Sequence, residues 1–252
     1  MATGEVHCGT DPESLNQIAY DHRGGDTSDD THYVTLLGLT PNTTYYFDVI
    51  SDGTVDDNND NHYSVTTGPT LGLPTSDTIY GQVFKEDETT LAEGTIVYIT
   101  VLDHDGSGSP GEAAPLSALV DNTGYWHANL GNARTADLSA YFRYSPSGDN
   151  VMLLAKGAAE GCTSQTVDTS ADTPADPMTL CYLFGDLNCN GDVYIDDIVL
   201  VASRWHTYCD NRDPDNNPNT PSYEPYYDLD HDCDIDIVDI MKVVAHWRET
   251  CP

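Results

Sequence analysis

Twelve consecutive residues, Asp186-Leu187-Asn188-Cys189-Asn190-Gly191-Asp192-Val193-Tyr194-Ile195-Asp196-Asp197, carry oxygen-bearing side chains at alternating places. Asp186, Asn188, Asn190 and Asp192 stand at positions 1, 3, 5 and 7 of the run, Gly191 at 6, Val193 at 8 and Asp197 at 12. Alternate short side chains point at one centre, position 7 offers its main-chain carbonyl, and position 12 closes the far side from the first turn of a helix. That arrangement wraps oxygen ligands around Ca2+.

A second copy follows at a shift of 42 residues, which pairs Asp186 with Asp228, Asp192 with Asp234, Ile195 with Ile237 and Asp197 with Asp239. It also pairs Ile198 with Ile240, Val201 with Val243, Trp205 with Trp247 and Cys209 with Cys251. Asp228, Asp230, Asp232, Asp234, Asp236 and Asp239 take positions 1, 3, 5, 7, 9 and 12, and Cys233 stands at position 6 in place of glycine. A residue with a Cβ there must accept an uncommon backbone conformation, which a disulfide and the ion would offset. Acidic runs are usually solvated surface. Two copies in register, with Trp and Cys matching as well as Asp, point instead to a repeated unit. A third cation is open to Asp103, Asp105 and Glu112, although Asp/Gly runs more often make plain turns.

The elements that hold these loops are short. Each loop is followed by a helical pattern: Ile198, Val201, Ala202 and Trp205 in one copy, Ile240, Val243, Val244 and Trp247 in the other. No helix leads in, because residues 179–185 read as a strand end and residues 218–227 contain three prolines. A loop-then-helix unit duplicated over residues 182–252 resembles the dockerin domain. The resemblance implies a protein partner, a cohesin-like module or another copy of the chain. Partner choice in that family rests on loop positions 10 and 11 and the following helix. Here those positions hold Ile195 with Asp196 and Ile237 with Val238, where many members carry a small hydroxyl pair. The apolar residues equally fit a contact with the middle domain. Dockerin-like packing of antiparallel helices further implies disulfides joining Cys189 to Cys251 and Cys209 to Cys233. Cys162 would then join Cys181 between neighbouring strands, leaving Cys8 over.

The upstream chain alternates in the short runs of antiparallel sandwiches. Residues 1–70 predict strands over 4–10, 15–20, 33–39, 43–51 and 63–67. The run Leu39-Thr40-Pro41-Asn42-Thr43-Thr44-Tyr45-Tyr46-Phe47-Asp48-Val49 resembles the tyrosine corner of fibronectin type III domains, which implies that Tyr45, Phe47 and Val49 face inward. Two opening strands of such a domain are missing. Either the sequence begins late, or a neighbouring molecule supplies them by strand exchange, a contact that extends into a filament unless it closes. Residues 71–76 form a linker. Residues 77–181 predict a second sandwich with strands over 79–84, 94–102, 116–120, 124–130, 138–144, 151–155, 165–168 and 177–181. Its run Leu119-Val120-Asp121-Asn122-Thr123-Gly124-Tyr125-Trp126 resembles the carboxypeptidase regulatory-like, transthyretin-like domains. The expected fold class is therefore mainly β with a small α C-terminal module: two β-sandwiches followed by a pair of calcium loop-helix repeats.

Composition narrows the function. Against 42 acidic residues, thirty-three of them Asp, stand nine basic ones, a formal net charge of -33. No basic patch exists to neutralise phosphates or dock on an anionic membrane, so nucleic-acid and membrane-surface partners are excluded. No apolar stretch approaches the roughly 18 to 20 residues of a membrane-spanning helix. Seven cysteines, five of them after residue 180, predict local disulfides and an extracellular or cell-surface location. The first five residues lack signal-peptide character, which fits a mature piece or fragment of an exported protein. Asn42-Thr43-Thr44 is a glycosylation sequon, and residues 56–61 read as a solvated hairpin tip. The nine histidines show no metal spacing, and no GxSxG elbow, phosphate-binding glycine loop or Cys-His pairing is present. The expectation is a non-catalytic attachment or assembly protein. The alternative is the tail of a secreted hydrolase, polysaccharide-degrading or phosphoesterase in type, whose catalytic domain lies upstream.

Overall fold

Ala2–Gly9 and Thr44–Ser51 pair as central strands, and in the second Tyr45 is buried on one face and Asp48 and Ile50 on the other. The computed structural model of the chain describes residues 1–58, 60–169, 174–210 and 222–252. Met1–Leu180 and Cys181–Pro252 are two compact units. The architecture is mainly β, with several sheets and a small helical segment at the C-terminal end.

In the first unit, β1 (Ala2–Gly9), β2 (Gln17–Tyr20), β3 (Ser28–Asp29), β4 (Thr44–Ser51), β5 (Thr54–Asp56) and β6 (Tyr63–Thr66) form one sheet. Its order is β2-β1-β4-β5, with β3 on β1 and β6 on β4. The antiparallel register sets Cys8 opposite Phe47 and Val6 opposite Val49, so these side chains share a face with Tyr45. The Tyr45 hydroxyl accepts the Thr40 N–H at 2.9 Å and fixes the turn into β4. Cys8 is fully buried on this face, whereas Val49 keeps 41% of its surface in solvent.

Residues 33–39 do not form the expected strand. Val34 makes one isolated bridge, to Asp21, and Leu37 is exposed. Alternation makes a strand only where a ladder receives its N–H and C=O groups, and this segment has no such neighbour. Side chains anchor the region instead. Arg23 donates to both oxygens of buried Asp21, to Asp29 and to the Thr31 carbonyl, while Thr31 Oγ1 and the Tyr33 hydroxyl donate to the carbonyls of Gly94 and Ser117.

The rest of the first unit contains β7 (Thr78–Phe84), β8 (Ile96–Leu102), β9 (Ala113–Ala114), β10 (Leu116–Leu119), β11 (Tyr125–Asn129) and β12 (Arg134–Thr135). It ends with β13 (Asn150–Lys156), β14 (Cys162–Asp168) and β15 (Met178–Thr179). The sheets β10-β8-β13-β14 and β11-β7-β15 face one another across one core. Val97, Ile99 and Val101 from β8 and Val151 and Leu153 from β13 meet Val83 from β7 and Trp126 from β11 there. Each large side chain removed from water contributes about 1.5 to 3 kcal/mol. Gly81 lies opposite Trp126, and a Cβ at that place would stand 3.1 Å from the indole. The expected strand over 138–144 reduces to a bridge between Tyr141 and Arg134. Thr135 and Asp137 bind one another and the following turn, in which Leu138 has φ 60°, and this local bonding breaks the alternation.

In the second unit, α1 (Ile195–Ala202) and α2 (Ile237–Ala245) pack together. The fully buried residues of their core are Val193 and Val201 from one copy and Ile235 and Val243 from the other, two pairs related by the 42-residue shift. Each loop is hydrogen-bonded to the end of the opposite helix. Arg248 N and Val193 N exchange bonds with Val193 O and Glu249 O, and His206 N and Ile235 N do the same with Ile235 O and Thr207 O. Before the second loop, Pro225–Tyr227 forms a single 3-10 turn, and residues 218–221 lie outside the described residues.

The disulfides correct the sequence reading in two of three places. Cys209 does join Cys233, but Cys251 joins Cys181, so neither Cys189 with Cys251 nor Cys162 with Cys181 forms. Repeat register explains the error. The end of each opposite helix meets loop position 6, where Cys209 N donates to Cys233 O and Cys251 N donates to Gly191 O. Position 6 of the first loop is a glycine without sulfur, and Cys189 sits at position 4, so Cys251 reaches Cys181. Cys8 is the free cysteine.

Candidate metal centre

Both loops bend at the same two places. Cys189 and His231, at position 4, have φ 61° and 60°, and Gly191 and Cys233, at position 6, have φ 90° and 74°. These left-handed residues turn successive N–H groups inward onto the first carboxylate. Asp186 accepts from Asn190 N at 3.1 Å and Gly191 N at 2.9 Å, and Asp228 accepts from Asp232 N at 3.3 Å and Cys233 N at 3.0 Å. Asp228 also accepts the Tyr223 hydroxyl at 2.6 Å.

Position 12 closes each loop from the first helical turn. Asp197 is fully buried and accepts from Leu187 N at 2.8 Å, Asn188 N at 3.3 Å and Tyr194 N at 2.9 Å. Asp239, equally buried, accepts from Leu229 N, Asp230 N and Asp236 N. The same carboxylate thus caps the helix start and ties it to the head of the loop, where the helix dipole favours an anion.

One oxygen each of Asp192, Asp196 and Asp197 lies within 4.8 Å of the others, as does one each of Asp228, Asp230 and Asp232. Asp196, at loop position 11, is a residue that the sequence reading gives to partner choice and not to the metal. Its Oδ2 accepts from the side-chain amides of Asn188 and Asn190, at 2.6 and 3.1 Å. Its position beside Asp197 was the available signal. In the second loop, Asp236 is committed to α2, accepting Val238 N at 2.6 Å. Asp230 Oδ1 and Asp234 Oδ1 are buried without any hydrogen-bond partner.

A buried carboxylate oxygen with no donor is costly unless something positive completes it. Burial, reinforced by Asp232 and Asp239, raises the pKa of Asp230. Burial followed by Asp232 and Asp236 raises that of Asp234. In the first loop burial raises Asp186, with the charge of Asp197 adding to it and the loop N–H groups opposing it. Short carboxylates and amides converging on one centre, with oxygens lacking donors, fit a hard oxygen-seeking cation of the Ca2+ type.

A third acidic group, in the first unit, differs in its members from the sequence reading. Asp103 and Asp105 meet Asp149, while Glu112 is exposed and its backbone bridges Leu102. Asp149 is buried and fully used, accepting from His104 N, Asp105 N and Ser145 N.

The helices carry a second apolar stripe besides the one that faces their core. On α1 it is Ile195, Val199 and Ala202, and on α2 the repeat-equivalent Ile237, Met241 and Val244, with Val199 57% and Met241 62% exposed. These residues stand at i, i+4 and i+7, one face of each helix. Among the described residues no helix is long and apolar enough to cross a membrane.

No protein-family model matches the chain, and no curated protein matches it. Among the solved structures that align with it are two interface mutants of a type II Cohesin-X-Dockerin complex from Acetivibrio cellulolyticus. They share 15% and 13% identity over 69% of this chain and 97% of theirs, with TM-scores of 0.22 and 0.21. At such scores the likeness carries no argument about fold or partner.

Proposed function

We propose that Cys181–Pro252 is a calcium-stabilised docking module, dockerin-like in its repeat, and that the chain is a non-catalytic, exported attachment protein. The observation that carries the metal is the pair of buried, partnerless oxygens on Asp230 and Asp234, whose pKa values burial and the neighbouring carboxylates raise. Asp186, Asn188, Asn190, Asp192 and Asp197 would hold one Ca2+, with Asp196 beside them. Asp228, Asp230, Asp232, Asp234 and Asp239 would hold the other, with Asp236 at its edge. The ion supplies charge neutralisation. The chain supplies the loop N–H groups that aim Asp186 and Asp228, and the position 12 carboxylates that start each helix.

The docking surface is the apolar stripe on each helix, which a monomer gains nothing by exposing. Calcium, by ordering each loop, fixes the helix that begins at its position 10. The partner is a protein with an apolar patch, a cohesin-like module or a second copy. The disulfides support an oxidising compartment for the chain, outside the cell or on its surface.

Binding to a panel of cohesin-like modules and to the chain itself, with calcium and with chelator, tests this reading. The expected result is calcium-dependent binding that Val199→Asp with Met241→Asp abolishes without lowering the melting temperature by more than a few degrees. Binding that survives both chelator and this double variant would overturn it.

A further inference from the structure

The two loops bend alike at positions 4 and 6, but position 6 is glycine in one copy and cysteine in the other. Gly191 has φ 90°, a conformation open to glycine because it has no Cβ, and a Cβ added there would find Cys251 at 3.8 Å. Cys233 holds φ 74° in spite of its Cβ. A side-chain-bearing residue keeps that conformation only where its surroundings over-determine it.

Two contacts do so. The Cys233 side chain is bonded to Cys209, at the far end of the α1 segment, and the Cys233 carbonyl accepts Cys209 N at 3.1 Å. One residue further on, Asp234 bridges Tyr208. The first loop has the equivalent backbone contacts, Cys251 N to Gly191 O and the bridge of Asp192 with Thr250, but no covalent bond at position 6. Cys233 is therefore fixed from both its backbone and its side chain, Gly191 from its backbone alone.

The conformation at Cys233 matters to the loop on both sides of it. Its N–H donates to Asp228 at 3.0 Å and so aims the position 1 carboxylate. The peptide that follows carries into Asp234, whose Oδ1 is, with that of Asp230, one of this loop's two buried oxygens without a partner. Were Cys233 to relax toward an ordinary backbone angle, the N–H would leave Asp228 and Asp234 would turn with it.

Resting on the metal reading above, we infer that the Cys209 to Cys233 disulfide is a positioning device for the second cation site. It does for a cysteine what the missing Cβ does for Gly191. The second site thereby depends on a covalent bond at position 6, where the first site has glycine and no such bond.

Calorimetric titration with Ca2+ of the full, oxidised chain and three double variants tests this. Cys209→Ser with Cys233→Ser leaves a Cβ at position 6 without the bond. Cys209→Ser with Cys233→Gly removes the bond but restores the freedom of a glycine. Cys181→Ser with Cys251→Ser removes the other disulfide as a control. The expected result is one site weakened by about tenfold in the Ser/Ser variant, recovered to within about threefold in the Ser/Gly variant, and that site unaltered in the control. Unchanged affinity in the Ser/Ser variant would overturn the inference. So would a Ser/Gly variant as weak as Ser/Ser, or one that fails to fold by circular dichroism, because the bond would then brace the whole module and not position 6. Should the unaltered chain take up no Ca2+ at all, the metal reading itself falls, a result distinct from any of these.

Discussion

Replacing Asp230 by asparagine should move stability in opposite directions with and without calcium. Its Oδ1 is buried with no donor, and oxygens of Asp228, Asp230 and Asp232 lie within 4.8 Å of one another. Two unit charges 4.8 Å apart repel by about 0.9 kcal/mol in water and by about 3.5 kcal/mol at an effective dielectric of about 20. Asp232 is exposed, so the water-like figure applies, and removing two such repulsions should stabilise the calcium-free form by about 2 kcal/mol. For a unit the size of Cys181–Pro252 this corresponds to a rise in melting temperature of about 8 °C or more. In saturating calcium the same variant has lost a charged ligand and should melt below the unaltered chain. Thermal unfolding in chelator and in calcium reads both signs. A variant that melts lower in chelator as well would refute the reasoning, because Asp230 would then be serving the fold through its own contacts.

Asp21→Asn should destabilise the first unit by about 3 kcal/mol, since it leaves the Arg23 guanidinium without the carboxylate that it grips. Burial raises the Asp21 pKa, but the bonds from Arg23 and from the N–H groups of Arg23 and Tyr33 outweigh it and hold the group well below the usual carboxylate range. Its contribution is therefore present above the ordinary carboxylate value and fades as pH falls through the lower folded value, and acid unfolding of the variant should lack that segment. His62 donates to Asp48 at 2.7 Å, and this bond raises its pKa. The stabilisation is complete below the ordinary histidine value and is lost as pH rises through the raised one, so His62→Gln should flatten the pH dependence of unfolding above the ordinary histidine value. An unchanged slope would contradict it. Cys8 is fully buried and burial raises its thiol pKa, so it should resist alkylation in the native chain and react stoichiometrically after denaturation, as mass spectrometry would show.

What the sequence made legible was whatever is local or repeated. The loops declare themselves through twelve contiguous residues and a second copy in register, β1 through its alternation, and β4, β8 and β13 through short apolar and aromatic runs bounded by turn residues. What it hid depends on residues far apart along the chain. The segment over 33–39 alternates as a strand does, yet pairing is a property of its neighbours. Asp149 joins Asp103 and Asp105 across more than forty residues, and no spacing announces it. The disulfide of Cys251 was open to a better reading: the 42-residue shift sets Cys233 against Gly191 and Cys189 against His231, so the two loop cysteines were never equivalent.

The most direct test of the central claim is the number of calcium ions bound by the demetallated, oxidised chain, measured by calorimetric titration with the melting temperature followed alongside. The account predicts two ions held by the loops of Cys181–Pro252 and a melting temperature that rises with free calcium, as mass action requires. No heat of binding, with a melting temperature indifferent to chelator, would contradict it.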